Sequence, residues 1–146
     1  MKTPTIVLGV IGSDCHCVGN KILDAFFSGR GFRVVNLGVM VSQDEFIDAA
    51  IESAAAAILV SSLYGHAEID CAGFRERCVE RGLEDILLYI GGNLVVGKMP
   101  REAIESKFKA AGFDRVFMPG DDLETAAACL RSDIAQRSKR GRRRSA

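Results

Sequence analysis

Residues 12–21 read GSDCHCVGNK and follow directly on an unbroken apolar run. Positions 14 to 17 hold a carboxylate (Asp14), an imidazole (His16) and two thiols (Cys15 and Cys17), in a chain with only two histidines. Such a loop suits a histidine that binds a large cofactor through one ring nitrogen. The other nitrogen then gives its proton to a carboxylate, which fixes the tautomer and raises ligand basicity. Asp14 stands two residues away for that role, and Gly19 lets a bulky group approach the backbone. From these residues alone the plain alternative is the favoured one, because a lone loop histidine is more often a structural hydrogen-bonder than a ligand.

Other chemistries fit less well. Neighbouring residues of one short loop cannot all point at a tetrahedral zinc, and Cys71, Cys78 and Cys129 lack a C-x₂-C partner spacing. Gly9, Gly12 and Gly19 do not make G-x-G-x-x-G. VGNK lacks the hydroxyl that ends a P-loop. A phosphoacceptor receiver would want an acidic cluster at the first strand and a lysine after the fifth, where this chain reads Met-Pro-Gly. Cys15 and Cys17 flank a histidine at a helix start, which favours thiolate, but as sequence neighbours they read first as small spacers.

The elements that must hold this loop alternate. TIVLGVIG (5–12) is an apolar, branched run suited to a strand buried on both faces. Val18, Ile22 and Phe26 follow at helical spacing until Gly29 and Gly31. Strands are expected at 33–40, 55–63, 85–92 and 114–120. Helices are expected after Ser42 with its capping-box Glu45, over 67–81, after Pro100 and along Leu123, Ala127, Leu130 and Ile134. Five β-α units with short links imply a parallel sheet with right-handed crossovers. The expected fold class is α/β, a flavodoxin-like doubly wound five-stranded sheet of order 2-1-3-4-5 with helices on both faces. Its ligands sit at the carboxyl ends of the strands. The residues with unusual chemistry all fall on that edge: Ser13, Asp14, His16 and Gly19 after strand 1, Ser61, Ser62 and Leu63 at strand 3, Gly91, Gly92 and Asn93 at strand 4.

With 146 residues, 48% of them hydrophobic, the chain fits one globular domain. No apolar stretch approaches the roughly 20 residues of a membrane span, and the start lacks a small-residue cleavage signal. Five cysteines at irregular spacing suggest free thiols and a cytoplasmic setting. A formal net charge of zero hides an asymmetry. RSKRGRRRSA at the end carries six of the 19 basic residues, so the body holds 13 basic against 19 acidic residues. Residues 1–136 are expected to form the domain and 137–146 a basic, irregular tail. An acidic body argues against nucleic acid as a partner.

Asp14-x-His16-x-x-Gly19 resembles the D-x-H-x-x-G signature of the cobalamin-binding domains of B12-dependent mutases and methionine synthase. In that family the signature continues with S-x-L and G-G. Here 41 residues separate Gly19 from Ser61-Ser62-Leu63, and 27 separate Leu63 from Gly91-Gly92, matching the family spacing. TIVLGVIGSDCHCVGNKILD, VSSLYGHAEIDC and GGNLVVGK are most similar to the small, cobalamin-binding subunits of glutamate (methylaspartate) mutases.

The resemblance implies adenosylcobalamin as cofactor, with His16 as axial cobalt ligand in place of the cofactor's own benzimidazole. Asp14 would orient it, within the loop of Ser13, Asp14, Cys15, His16 and Cys17. The displaced nucleotide tail would enter a cleft between the sheet and the first helix. It would pass Gly19, Ser61, Ser62, Leu63, Gly91 and Gly92, with Asn93, Leu94, Val95, Val96 and Gly97 lining the rest. The first helix would order on the tail. The resemblance further implies interconversion of L-glutamate and threo-3-methylaspartate with a large barrel (epsilon) subunit, as a heterotetramer of two small and two large chains. A mutase of another substrate, or a cobalamin carrier or sensor, is the alternative. One departure stands out: Asp121 replaces a small hydroxyl residue common in the family, and an acid there would be expected to weaken contact with a polar tail.

Overall fold

The computed structural model describes residues 3–12, 17–62, 66–94 and 98–145, with side chains as far as Lys139. Its elements run β1 (Thr5–Val10), α1 (Cys17–Ser28), β2 (Arg33–Asn36), α2 (Gln43–Ser53), β3 (Ala57–Ser62), α3 (Ala67–Asp70), α4 (Phe74–Glu80), β4 (Leu87–Gly92), α5 (Arg101–Ala110), β5 (Arg115–Phe117) and α6 (Leu123–Ser145). All strands pair in parallel, in the order β2-β1-β3-β4-β5. The expected topology is thus the observed one. Among the described residues no helix is long and apolar enough to cross a membrane.

Local sequence explains most boundaries. Ser42 Oγ accepts from the Glu45 amide at 3.1 Å and Glu45 Oε1 accepts from the Ser42 amide at 3.1 Å, so the capping box opens α2. Three segments differ from expectation. The span 67–81 is two helices, broken where Gly73 takes a φ of +74°. Strand β2 stops at Asn36, because Gly38 and Met40 both turn to positive φ. Helix α6 runs through the basic segment to Ser145 instead of yielding to an irregular tail. Arg137 belongs to the body: it donates to the Asp85 carbonyl at 3.0 Å and to Asp114 at 3.1 Å.

Alternate strand residues feed two cores. Val7, Ile58, Leu88 and Val116 point to α2, α4 and α5, where Phe46, Phe74 and Phe108 are buried. Ile6, Leu8, Leu59, Leu87 and Tyr89 point to α1 and α6, meeting Phe27, Ala127 and Leu130. Register lines up the second set in rows. Leu8, Leu59 and Tyr89 stand abreast, and so do Val10, Ser61, Gly91 and Phe117 one step nearer the carboxyl edge.

Candidate functional site

These two rows explain a cleft. Moving toward the carboxyl edge, Leu59 gives way to Ser61 and Tyr89 to Gly91, so the floor drops away between α1 and α6. The resulting space is about 360 Å³, within the range of small-molecule sites. Leu8, Leu23, Phe27, Leu59, Tyr89 and Phe117 make it apolar, and Ser61 contributes a hydroxyl. A Cβ built on Gly19 would meet nothing within 4 Å, and one on Gly91 would meet only Phe117, at an ordinary 3.5 Å. Protein packing therefore does not require glycine at either place. Side chains there would instead occupy the cleft.

The floor is tied to α6 by a polar contact. Tyr89 Oη donates to Asp133 Oδ2 at 2.5 Å, and Arg115 donates to the same carboxylate at 2.7 and 3.0 Å. The Arg115 hydrogen bonds hold the Asp133 carboxyl below its usual range. Burial, reinforced by the Asp133 contact, pushes the Tyr89 phenol up, so it stays protonated.

At the rim stands Asp121. Arg101 donates to its two oxygens at 2.8 and 2.5 Å, and the Met118 amide donates to Oδ2 at 2.8 Å. Hydrogen bonding from Arg101 lowers the Asp121 carboxyl from its ordinary value. The acid expected to repel a polar tail is thus engaged by Arg101, which it shares with Glu105.

Of the residues marked out by sequence, Gly19, Ser61, Gly91 and Gly92 come together in the cleft. Ser62 does not; alternation turns it to the opposite face, fully buried, with no partner for Oγ among the described residues. Leu94 packs into that opposite core. Cys17 and Asn93 are exposed and lie off the cleft. Ser13, Asp14, Cys15, His16, Leu63, Val95, Val96 and Gly97 lie outside the described residues. Gly12, which leads into the first of these segments, has a φ of +77°, and a Cβ on it would fall 2.4 Å from Asp70 Oδ2. Sequence reasoning missed Tyr89, Phe117, Asn20 and the Arg101 partner of Asp121. Among the remaining thiols, burial pushes Cys71 up to about 12 and Cys78 up to about 11, so neither is a ready nucleophile.

The cleft suits a flat, mostly apolar group carrying a few polar atoms and entering from the carboxyl edge. That is what the heterocyclic tail of a corrinoid presents, and the chain's residues fit it. Residues 4–128 match the model of the B12 binding domain. The chain is 66% identical over 137 residues to the glutamate mutase sigma subunit of Escherichia coli O157:H7, covering 94% of this chain and 92% of that one. It is 59% identical over 134 residues to the sigma subunit of Clostridium cochlearium, covering 92% and 98%. A cobalamin-binding protein from Desulfitobacterium hafniense DCB-2 shares the fold, with a TM-score of 0.69 at 24% identity over 93% of this chain. So does the methanol:cobalamin methyltransferase complex MtaBC from Methanosarcina barkeri, with a TM-score of 0.72 at 23% identity over 92%. The chain spans 59% and 48% of those two longer chains. The match over residues 4–128 makes this chain a B12-binding domain. Within that family, the chain belongs to the glutamate mutase sigma subunits.

Proposed function

We propose that this chain binds adenosylcobalamin as the small subunit of a glutamate mutase, in the cytoplasm, and is active only with a large barrel subunit, two of each forming a heterotetramer. The observation that carries the cofactor reading is the apolar cleft between α1 and α6, at the carboxyl edge of the sheet. When bound, the cofactor supplies the carbon-centred radical that starts rearrangement of L-glutamate to threo-3-methylaspartate.

The chain's own residues bind and orient. His16 would hold the cobalt through one ring nitrogen, with Asp14 fixing its tautomer and Ser13 next to it in sequence. Gly19 and Gly91 leave room for the tail, Ser61 offers it a hydroxyl, and Tyr89 and Phe117 face its ring. Leu63 and residues 95–97 are assigned to the same path on the spacing of the motif.

A partner subunit is supported by the surface around the cleft. Val18, Ile22, Met40, Ile69 and Met99 are large, apolar and exposed, and all sit at the carboxyl edge of the sheet. Exposed apolar side chains gathered toward one edge of a sheet suit a surface that another protein covers. Arg101 at the rim is already committed to Asp121 and Glu105, so it is not available as the fork that a dicarboxylate substrate calls for. Substrate binding is therefore assigned to the large subunit.

The deciding experiment is spectroscopic. Cob(II)alamin bound to the protein should show nitrogen hyperfine splitting that changes when histidines carry ¹⁵N. His16→Gly should abolish the signal and His66→Ala should leave it intact. Splitting insensitive to the label would overturn the ligand assignment. Glutamate turnover by the isolated chain would overturn the division of labour between subunits.

A further inference from the structure

Helix α1 buries a stripe against the sheet at positions 20, 23 and 27. Two of these are Leu23 and Phe27; the third is Asn20, an amide where the amphipathic pattern calls for an apolar side chain. Asn20 is 4% exposed and lines the cleft.

Its orientation follows from its neighbours. The Gly38 amide donates to Asn36 Oδ1 at 2.9 Å, which makes the other arm of Asn36 the donor. That arm donates to Asp24 Oδ2 at 2.9 Å and to Asn20 Oδ1 at 2.8 Å. A carboxylate only accepts, so Asp24 fixes the same sense. The arm of Asn20 that faces Asn36 is therefore its oxygen, and Nδ2 faces elsewhere. Three buried side-chain polar atoms lack a partner among the described residues, and Asn20 Nδ2 is the one that belongs to a cleft-lining residue. A buried amide N–H left unpaired is a defect that folded proteins seldom keep without a use.

We infer that Asn20 is a direct hydrogen-bond donor to an acceptor atom on the nucleotide tail of the bound corrinoid, held in position by the Gly38–Asn36–Asp24 chain of hydrogen bonds. This rests on the corrinoid reading given above. The tail class follows from the cleft: the walls around Asn20 are apolar, so the matching ligand group carries an isolated oxygen or ring-nitrogen acceptor on an otherwise flat apolar body. Asn20 thereby links the opening turn of α1 to occupancy of the cleft.

The test uses the full chain with two probes, cobalamin and cobinamide, a corrinoid without the nucleotide tail. In the wild-type protein the Asn20 side-chain amide resonance should move on addition of cobalamin and stay in place with cobinamide. Asn20→Asp keeps the acceptor toward Asn36 and removes the donor. It should weaken cobalamin roughly five- to tenfold and leave cobinamide affinity unchanged. Asn36→Ala, which keeps the donor but frees it, should give a smaller loss of the same selectivity. An amide resonance that ignores cobalamin, or equal losses for both corrinoids, would overturn the inference and leave Asn20 as a helix-positioning residue. A wild-type chain that binds no cobalamin at all would strike the proposed function instead.

Discussion

On the α2–α4–α5 face of the sheet, Phe46, Phe74 and Phe108 are each no more than 1% exposed and pack onto a continuous apolar floor. On the α1–α6 face, the same strands present side chains that shrink toward the carboxyl edge and leave a cleft. A strand's period of two lets one segment serve both ends: Ile58 and Val60 fill the first face while Leu59 and Ser61 shape the second. The contrast teaches that a packed core and a cleft are written into alternate residues of the same strands. On the hollow face, polar ties such as Tyr89–Asp133–Arg115 do part of what packing does on the other.

Breaking the filled face should have the largest effect. Phe74→Ala removes a fully buried ring that touches Phe46 and Phe113 and should cost about 3–5 kcal/mol, read from the urea midpoint. Cobalamin affinity of the fraction that remains folded should hold. A variant with near-normal stability and lost affinity would mean that the division between faces is false.

Filling the hollow face should have an intermediate effect, and one of opposite sign on the two observables. Gly19→Leu adds bulk where nothing lies within 4 Å. It should weaken cobalamin by roughly 10- to 100-fold, the cost of one overpacked contact. Melting temperature should rise slightly, because glycine in a helix costs about 0.5–1 kcal/mol against better helix formers. Stability and affinity falling together would show Gly19 to be a packing residue.

The smallest effect is the polar tie. Asp133→Asn should lower stability at pH 7 by about 1 kcal/mol, a modest value because Arg115 is partly exposed. The folded carboxyl lies below its ordinary value. Its contribution is therefore present above the unfolded value and disappears as pH falls through the folded one. Thermal melts should show the two proteins converging below about pH 4. A pH-independent gap would mean that shape, and not charge, holds the tie.

Much of this was legible in the chain. Five apolar runs separated by helical spacing call for a parallel five-stranded sheet, for which 2-1-3-4-5 is a common order, and Ser42 with Glu45 announces a helix start. Gly19, Ser61 and Gly91 stand out through the spacing of the D-x-H-x-x-G, S-x-L and G-G segments. Other features were hidden for physical reasons. Gly73 breaks a helix through its positive φ, which a lone glycine in a periodic segment does not advertise. The arginines after 137 read as a solvated tail by charge, yet arginine is among the better helix formers. Tyr89, Phe117 and Arg101 join the site only through register and a contact between residues 20 apart, neither of which a local pattern carries. Ser62 and Leu94 look like members of the site by adjacency, and alternation or packing sends them to the other face.

Asp114 sits where the two faces meet. One oxygen accepts from Arg137 of α6; the other accepts from Arg75 of α4 and from the Leu88 amide of β4. A single carboxylate thus joins a helix from each layer to the strand between them. The consequence is cooperativity. Helix α6 cannot detach from its layer without stripping a partner from the carboxylate that also holds α4, so loss of one layer weakens the hold on the other and a single cooperative melt is the expected outcome. A face with a cleft in it, which by itself would be the first to open, inherits the resistance of the face that has none of its hollowing.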